Sequence, residues 1–242
     1  MKSKGYLRFY NRFQNFQADL ELVEVIILNK ERFAGETHIF SEINSTDHPK
    51  ICLYTNSPFN RNKAVSHLRN TLQVAFVKDI YEEVTEYLRY VLVNAAKNGA
   101  NVNRLVGPHK VSLDANFLLS ANSIDEVART VTDSIFQQLE NERSSLELIK
   151  KIGIKLDLQL SQAAIDAALP YLLIRHYFVH EDGKPTREFK EEYPFVKLDT
   201  KKRIKLSYKF LMKAKENVIE LVSEIDQKVL ARDFFPEEEI QP

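Results

Sequence analysis

Apolar residues recur at alternating steps of three and four along most of this chain, which is the spacing of one face of an α-helix. The longest such stretch is predicted over residues 63–97, roughly ten turns, with Asn98-Gly99 as its stop. Glycines and prolines, which end helices, number only six and eight in 242 residues. The sequence therefore predicts an all-α fold, an up-and-down helical bundle around this long helix.

Two more helices are predicted on either side of that stretch. The first covers about residues 7–29. The second starts at a capping box formed by Ser123 and Glu126 and runs through residue 139 to about residue 149. Between residues 101 and 122 we expect a loop with about one helical turn near residues 115–119.

The last third of the chain predicts two further helices. Ser161 caps the first, and Pro170 inside it is expected to kink the helix or to restart it. Asp199 or Thr200 is expected to cap the final helix, which reaches about residue 230 after a charged connector over 186–198.

The helical pattern divides the chain into three parts. Residues 1–62 are interpreted as an N-terminal helix and an irregular linker appended to the core; the linker, residues 30–62, carries at most a short strand at 51–55. Residues 63–230 form the helical bundle. Residues 231–242 are expected to be a frayed acidic tail.

The composition excludes several classes of protein. Basic and acidic residues both number 34, so any site for a polyanion must be local. The single cysteine, Cys52, permits no internal disulfide and no structural zinc site, which favours the cytoplasm. Because no stretch of about 18 apolar residues occurs, no membrane span is expected. The sequence indicates no cofactor.

One apolar stretch of the predicted helix before Gly183 contains three polar residues, Arg175, His176 and His180. Polar groups are costly at such positions and need a reason. At about 100° per residue, the two histidines lie about 40° apart on one face, whereas Arg175 and His180 lie about 140° apart. Gly183 is expected to end the helix in the left-handed conformation.

Spacing alone does not distinguish this motif. Arg104 and His109 have the same separation, but Gly107 and Pro108 lie between them, and a leucine follows the arginine. Arg61 and His67 differ by one position and lie where a helix is expected to begin. Only the Arg175 motif combines a helical register, a polar second residue, apolar neighbours and a following glycine turn.

That combination, Arg175-His176-x3-His180 followed by Glu181-Asp182-Gly183, resembles the HEPN (higher eukaryotes and prokaryotes nucleotide-binding) family. The resemblance covers the bundle and does not extend to residues before about 60. It implies a metal-independent endoribonuclease whose motif is duplicated across a homodimer to form one cleft. Many members of the family act as toxins or as abortive-infection and phage-defence effectors, with an antitoxin as a possible partner; others keep the fold and lack the activity.

These residue types suit RNA cleavage without a metal. The 2′-hydroxyl of RNA attacks the adjacent phosphorus, so the protein must move protons and stabilise negative charge. An imidazole can move protons at neutral pH, and a guanidinium can hold the phosphate. We therefore assign His180 as general base or acid, Arg175 as phosphate clamp and His176 as an orienting or second polar contact. Lys184 and Arg187 are expected to contact backbone phosphates.

Other interpretations remain open at this point. Arg175 could pair with a carboxylate on a neighbouring helix while His180 is a core histidine, or the bundle could bind a nucleotide or a protein without catalysis. His176 and His180 could also bind a metal with Glu181 or Asp182 as third ligand, although the residues between them lack a metalloprotease glutamate. The basic residues after position 200 could be a solvated face or guide RNA.

Overall fold

The all-α prediction is confirmed by a computed structural model, which describes residues 1–108, 111–140 and 145–241. Those ranges contain eleven α-helices and one sheet of two short strands. None of the helices in them combines the length and the apolar character that crossing a membrane requires.

The elements follow one another along the chain without repetition. The helices of ten or more residues are α1 (Lys4–Leu28), α4 (Pro58–Lys97), α7 (Ile124–Glu140), α8 (Ser145–Lys155), α9 (Gln162–His180) and α11 (Tyr208–Leu230). The short helices are α2 (Lys30–Ala34), α3 (Pro49–Tyr54), α5 (Val102–Val106), α6 (Ala115–Ser120) and α10 (Arg187–Glu192). The strands are β1 (Lys2–Ser3) and β2 (Ile240–Gln241), and 3-10 turns cover Ile39–Glu42 and Glu237–Glu239.

Helix α4 is the centre of the bundle, and α1, α7, α9 and α11 all pack against it. Its residues Val91, Leu92 and Ala95 are fully buried. They belong to a single core that also includes Phe13 of α1 and Ile174 of α9. The segment 1–62, expected to be appended to the core, therefore contributes aromatic side chains directly to it.

Serine caps decide where the helices that carry the core begin. Helix α4 starts at Pro58, five residues before the predicted start at residue 63, because Ser57 accepts a hydrogen bond from the amide of Asn60 and proline fits the first helical position. Ser161 caps α9 as predicted. Helix α9 does not restart at Pro170, which is buried inside one continuous helix.

Residues 30–62 are more ordered than the predicted linker. Where at most a short strand was expected, at 51–55, the chain is helical, since residues 49–54 form α3. The buried guanidinium of Arg61 donates hydrogen bonds to the backbone oxygens of Ala34, Gly35 and Thr55. One cation thereby ties the ends of α2 and α3 to the first turn of α4, which local periodicity does not reveal.

The start of the last helix also differs from its prediction. Ser207, and not Asp199 or Thr200, caps α11, and its hydroxyl accepts a hydrogen bond from the amide of Phe210. Residues 197–205 instead form a hairpin, with Leu198 bridged to Ile204 in antiparallel fashion. The connector predicted over 186–198 contains α10. Lys201, Lys202 and Lys205 therefore lie on a hairpin rather than on a helix.

The C-terminal segment is not frayed as expected. Phe234 and Phe235 are buried, and β2 pairs with β1 at the start of the chain. Pro242 lies outside the described residues, as do His109 of the comparison pair and residues 141–144 of the helix expected to reach residue 149. The described parts of that region are α7 and α8.

Candidate active site at the end of helix α9

The last turns of α9 present Arg175, His176 and His180 at the surface of the bundle. Ile174, just before them in sequence, and Tyr177, just after His176, are buried and hold the helix against the core. His176 and His180 are exposed, and Arg175 is partly buried. Burial of the apolar face of α9 therefore determines that the histidines face solvent.

The two histidines form a pair. Their ring centroids are 5.0 Å apart, and the ring planes are inclined by 45°. His176 also contacts the edge of Tyr177, with ring centroids 5.6 Å apart. Within the described ranges, neither imidazole donates or accepts a hydrogen bond, so both rings have nitrogen atoms free to meet a ligand.

Arg175 is held against the neighbouring helix α4. Its guanidinium carbon lies 4.6 Å from the centre of the Tyr81 ring, in cation–π geometry, and its Nη2 donates to Glu82 Oε1 at 3.4 Å. The side chains of Arg175 and Glu82 are 29% and 64% exposed. A long ion pair between partly exposed groups is weak, so the aromatic contact orients the guanidinium while leaving it accessible.

A tight turn follows the histidines. Glu181 caps α9, and both Asp182 and Gly183 have positive φ, 52° and 76°. The amide of Gly183 donates to the carbonyl of Tyr177 at 2.8 Å. Gly183 therefore occupies the left-handed region as predicted, although the helix itself ends earlier, at His180. A β-carbon at Gly183 would lie 3.1 Å from the ring of Phe178.

The hairpin of residues 197–205 is fastened to this turn. Ile204 donates its amide to the carbonyl of Gly183 at 2.8 Å, and Arg203 forms an ion pair with Asp182. The backbone of the hairpin is closed by Asp199, whose carboxylate accepts from the amides of Lys201 and Arg203. Those hydrogen bonds hold the pKa of Asp199 below its ordinary value. The sequence does not predict this contact, because it joins residues about 20 positions apart that only the tertiary structure brings together.

The two predicted phosphate contacts differ in availability. Lys184 is exposed in the turn after Gly183, next to the histidines in sequence. The side chain of Arg187, 87% exposed, donates to Glu191 Oε1 one turn further along α10. Both follow the turn in sequence, but neither contacts the histidines in the described part of the structure.

The metal interpretation lacks its third ligand. Among the described residues, no group of three or more histidine, cysteine, aspartate or glutamate side chains is arranged to hold an ion. Asp182, one of the candidates for that ligand, pairs with Arg203 instead. The histidine pair by itself offers two nitrogen ligands, fewer than the three that catalytic zinc sites use.

A concavity of about 590 Å³ opens between α1, α4 and α7, and the motif residues do not line it. Its arginines and lysine are largely matched by carboxylates, for example Arg12 by Glu83 and Arg89 by Glu86. Tyr90 lies in its wall, and burial, together with the hydrogen bond to Glu239, raises the pKa of that phenol.

No match was found when the chain was compared with protein-family models, with curated proteins and with solved structures. The candidate site therefore depends on its own residues and their geometry.

Proposed function

We propose that the protein is a metal-independent endoribonuclease whose active site is the surface formed by Arg175, His176 and His180. The observation that carries the proposal is the exposed imidazole pair, 5.0 Å between ring centroids, on the same helix end as a guanidinium. Imidazoles exchange protons near neutral pH, and a guanidinium matches the oxygen atoms of a phosphate.

The proposed reaction cleaves one phosphodiester bond. His180 of one copy removes the proton of the 2′-hydroxyl, the 2′-oxygen bonds to phosphorus, and the bond from phosphorus to the 5′-oxygen breaks. A second imidazole gives a proton to that leaving oxygen, so the products are a 2′,3′-cyclic phosphate and a 5′-hydroxyl. Arg175 neutralises the charge that builds up on the phosphate oxygens, and His176 orients His180 or contacts the phosphate.

One imidazole cannot readily act as base and acid in the same turnover. We therefore propose a homodimer in which the exposed ends of two α9 helices meet, so that the two copies of His180 divide these roles. Val179, which is also exposed between the histidines, supplies an apolar contact for that interface. As a cytoplasmic RNA-cleaving protein of the HEPN type, it acts as a toxin or phage-defence effector, under the control of an antitoxin or another regulatory protein.

A second candidate function, a non-catalytic HEPN-like module that binds a nucleotide or a protein, is favoured by one contact. Arg175 is stacked on Tyr81 and within hydrogen-bonding distance of Glu82, so its position has a structural explanation as well. Under that function, the helix end is a binding surface and catalyses no reaction. Replacing either histidine would then affect binding only.

The decisive experiment measures cleavage of a fluorescent single-stranded RNA by purified protein in excess EDTA. His180→Ala is expected to reduce the rate by about 10²-fold or more, because general acid–base groups contribute on that scale. His67→Ala is the matched control, since His67 is also an exposed helical histidine but lies on α4 outside the motif. Far-ultraviolet circular dichroism checks that both variants are folded.

The result also separates the two candidate functions. Cleavage with 2′,3′-cyclic phosphate products, lost in His180→Ala and retained in His67→Ala, supports the nuclease. Absence of cleavage by the parent protein, or equal cleavage by parent and His180→Ala, refutes it. Activity that requires added zinc or manganese also refutes the metal-independent mechanism.

A further inference from the structure

Charge is distributed unevenly around the candidate site. The chain as a whole has equal numbers of basic and acidic residues. The nine residues of the 197–205 hairpin nevertheless hold five basic residues and one acidic residue, Asp199. Its carboxylate accepts hydrogen bonds from two backbone amides of the hairpin itself, and with that negative charge included the hairpin keeps a net charge of +4. The hairpin is therefore a local positive surface on a neutral protein.

The hairpin alternates between two faces, as paired extended strands do. Val196 and Ile204 are buried and pack on the core, and Leu198 is partly buried between them. The residues of opposite phase, Lys197 and Lys205, are exposed. The amide of Lys205 donates to the carbonyl of Lys197 at 2.8 Å, so these two lysines are neighbours across the strands. Lys201 and Lys202 add two exposed cations at the tip.

An aromatic side chain lies in the turn just before the hairpin. Phe195 precedes Lys197 by two positions and is 50% exposed. Its ring centroid lies 6.0 Å from that of Tyr171 and 6.3 Å from that of Tyr193, which support it from the protein side. A half-exposed aromatic ring close in sequence to several lysines is a combination that proteins use to bind single-stranded nucleic acid.

The hairpin is attached to the turn that follows the histidines. The hydrogen bond from Ile204 to Gly183 and the ion pair between Arg203 and Asp182 connect the two segments directly. Asp182 is two residues beyond His180. The hairpin is therefore packed against the turn that directly follows the histidines.

We infer that the 197–205 hairpin and Phe195 form a binding track for single-stranded RNA, in which Lys201, Lys202 and Lys205 contact phosphates and Phe195 stacks on an unpaired base. This inference rests on the proposed function, because it specifies the substrate of that site as unpaired RNA. A base inside a duplex is stacked on both sides and cannot stack on Phe195, so duplex RNA is a poorer ligand.

The test measures binding of a 2′-O-methyl oligouridine of about 12 nucleotides by fluorescence anisotropy, a length that covers a typical single-strand site. This probe has no free 2′-hydroxyl and stays intact whether or not the protein is a nuclease. A duplex of the same length, formed with 2′-O-methyl oligoadenosine, is the comparison. The parent protein is expected to bind the single strand at least about tenfold more tightly, since each stacked base is worth on that order.

Two variants test the track against matched controls. Replacing Lys201, Lys202 and Lys205 with alanine is expected to weaken binding at least about tenfold and to reduce the slope of log affinity against log salt by about 2, because each phosphate contact on a single strand contributes about 0.7. Replacing Lys30, Lys50 and Lys63, also exposed, removes the same charge elsewhere and is expected to change affinity less than about twofold.

Phe195→Ala is expected to weaken single-strand binding about fivefold or more and to leave the salt slope unchanged, because stacking involves no counterion release. Phe59→Ala, at a more exposed phenylalanine on α4, is its control. Urea unfolding of all four variants verifies that they are folded.

The outcomes distinguish this inference from the proposed function. Equal weakening by the two lysine triples, or equal affinity for single strand and duplex, overturns the track. If the parent cleaves unmodified RNA but the hairpin variants bind as the parent does, the track is wrong and the nuclease stands. If the parent cleaves no RNA but the variants lose binding as expected, the track stands and the nuclease is wrong.

Discussion

Asp226 of α11 is a buried carboxyl group whose removal is expected to destabilise the whole bundle. Its side chain has no exposed surface, and it accepts hydrogen bonds from the hydroxyl and amide of Ser3 and from the hydroxyl of Tyr87 at 2.9 Å. Burial, followed by the charge of Asp226, raises the pKa of Tyr87 well above its ordinary value. The group therefore joins α11 and α4 to the N-cap residue of α1.

The expected magnitude for Asp226→Ala follows from the donors left without a partner. A buried unsatisfied donor costs about 1–3 kcal/mol, and three donors lose their acceptor. Ser3 keeps one hydrogen bond, because its oxygen accepts from the amide of Tyr6, and relief of carboxyl burial offsets part of the loss. We expect a decrease of about 3–5 kcal/mol in the free energy of unfolding, a large share of the total for a typical domain.

Urea denaturation followed by circular dichroism measures this change. Tyr87→Phe removes one of the three bonds and should cost about 1–2 kcal/mol, whereas Tyr54→Phe at an exposed position should cost almost nothing. In the double variant of Asp226 and Tyr87, the two effects should fall short of their sum by at least about 0.5 kcal/mol. An Asp226→Ala protein within about 1 kcal/mol of the parent, or strictly additive effects, refutes this reasoning.

Three further predictions concern the turn, a buried lysine and the hairpin. Gly183→Ala should lower the free energy of unfolding by more than Gly99→Ala in urea titrations, because both pay about 1–2 kcal/mol for positive φ but only Gly183 faces Phe178; equal losses contradict this. Burial lowers the pKa of Lys215, so the unfolded chain binds more protons than the folded protein at alkaline pH. The free energy of unfolding of the parent should therefore rise relative to that of Lys215→Met as the pH increases toward 10.5. If denaturation experiments show that this difference falls between about pH 8 and about pH 10, the reasoning is contradicted. Hydrogen bonds from hairpin amides lower the pKa of Asp199 below its ordinary value of 3.8. The stabilisation that this carboxylate gives the hairpin is therefore present above pH 3.8 and is lost as the pH falls through the lowered pKa. Hydrogen exchange of the hairpin amides should accelerate at that pH in the parent, whereas Asp199→Asn should show no such step.

Local patterns predicted much of the architecture, because helices are stabilised by contacts close in sequence. The all-α class, the stop of α4 after residue 97 and the Ser161 cap of α9 all follow from periodicity and capping chemistry. The histidine pair was also predictable, since four-residue spacing on a helix places two side chains on one face. Both imidazoles are exposed at the surface of the bundle.

The errors occurred where a local signal has two meanings. Asn56-Ser57-Pro58 falls within the segment expected to be an irregular linker, although serine followed by proline is equally a helix start. The buried Arg61 that stabilises this helix start binds carbonyls up to 27 residues away. Asp199, expected to be a helix cap, instead closes a hairpin, because the amides of Lys201 and Arg203 lie in a turn and donate to its carboxylate. The apolar pattern of residues 51–55 fitted a strand and forms α3.

The amino-acid sequence by itself determined the helical class, the long central helix and the placement of Arg175, His176 and His180 on one helix end, since each depends on spacing within a few turns. Only the tertiary structure decided that Tyr81 of α4 supports the guanidinium, that the 197–205 hairpin docks beside the histidines, and that Asp226 joins both ends of the chain. Those contacts connect residues that are distant in sequence, and they exist only once burial of the shared core has brought the helices together.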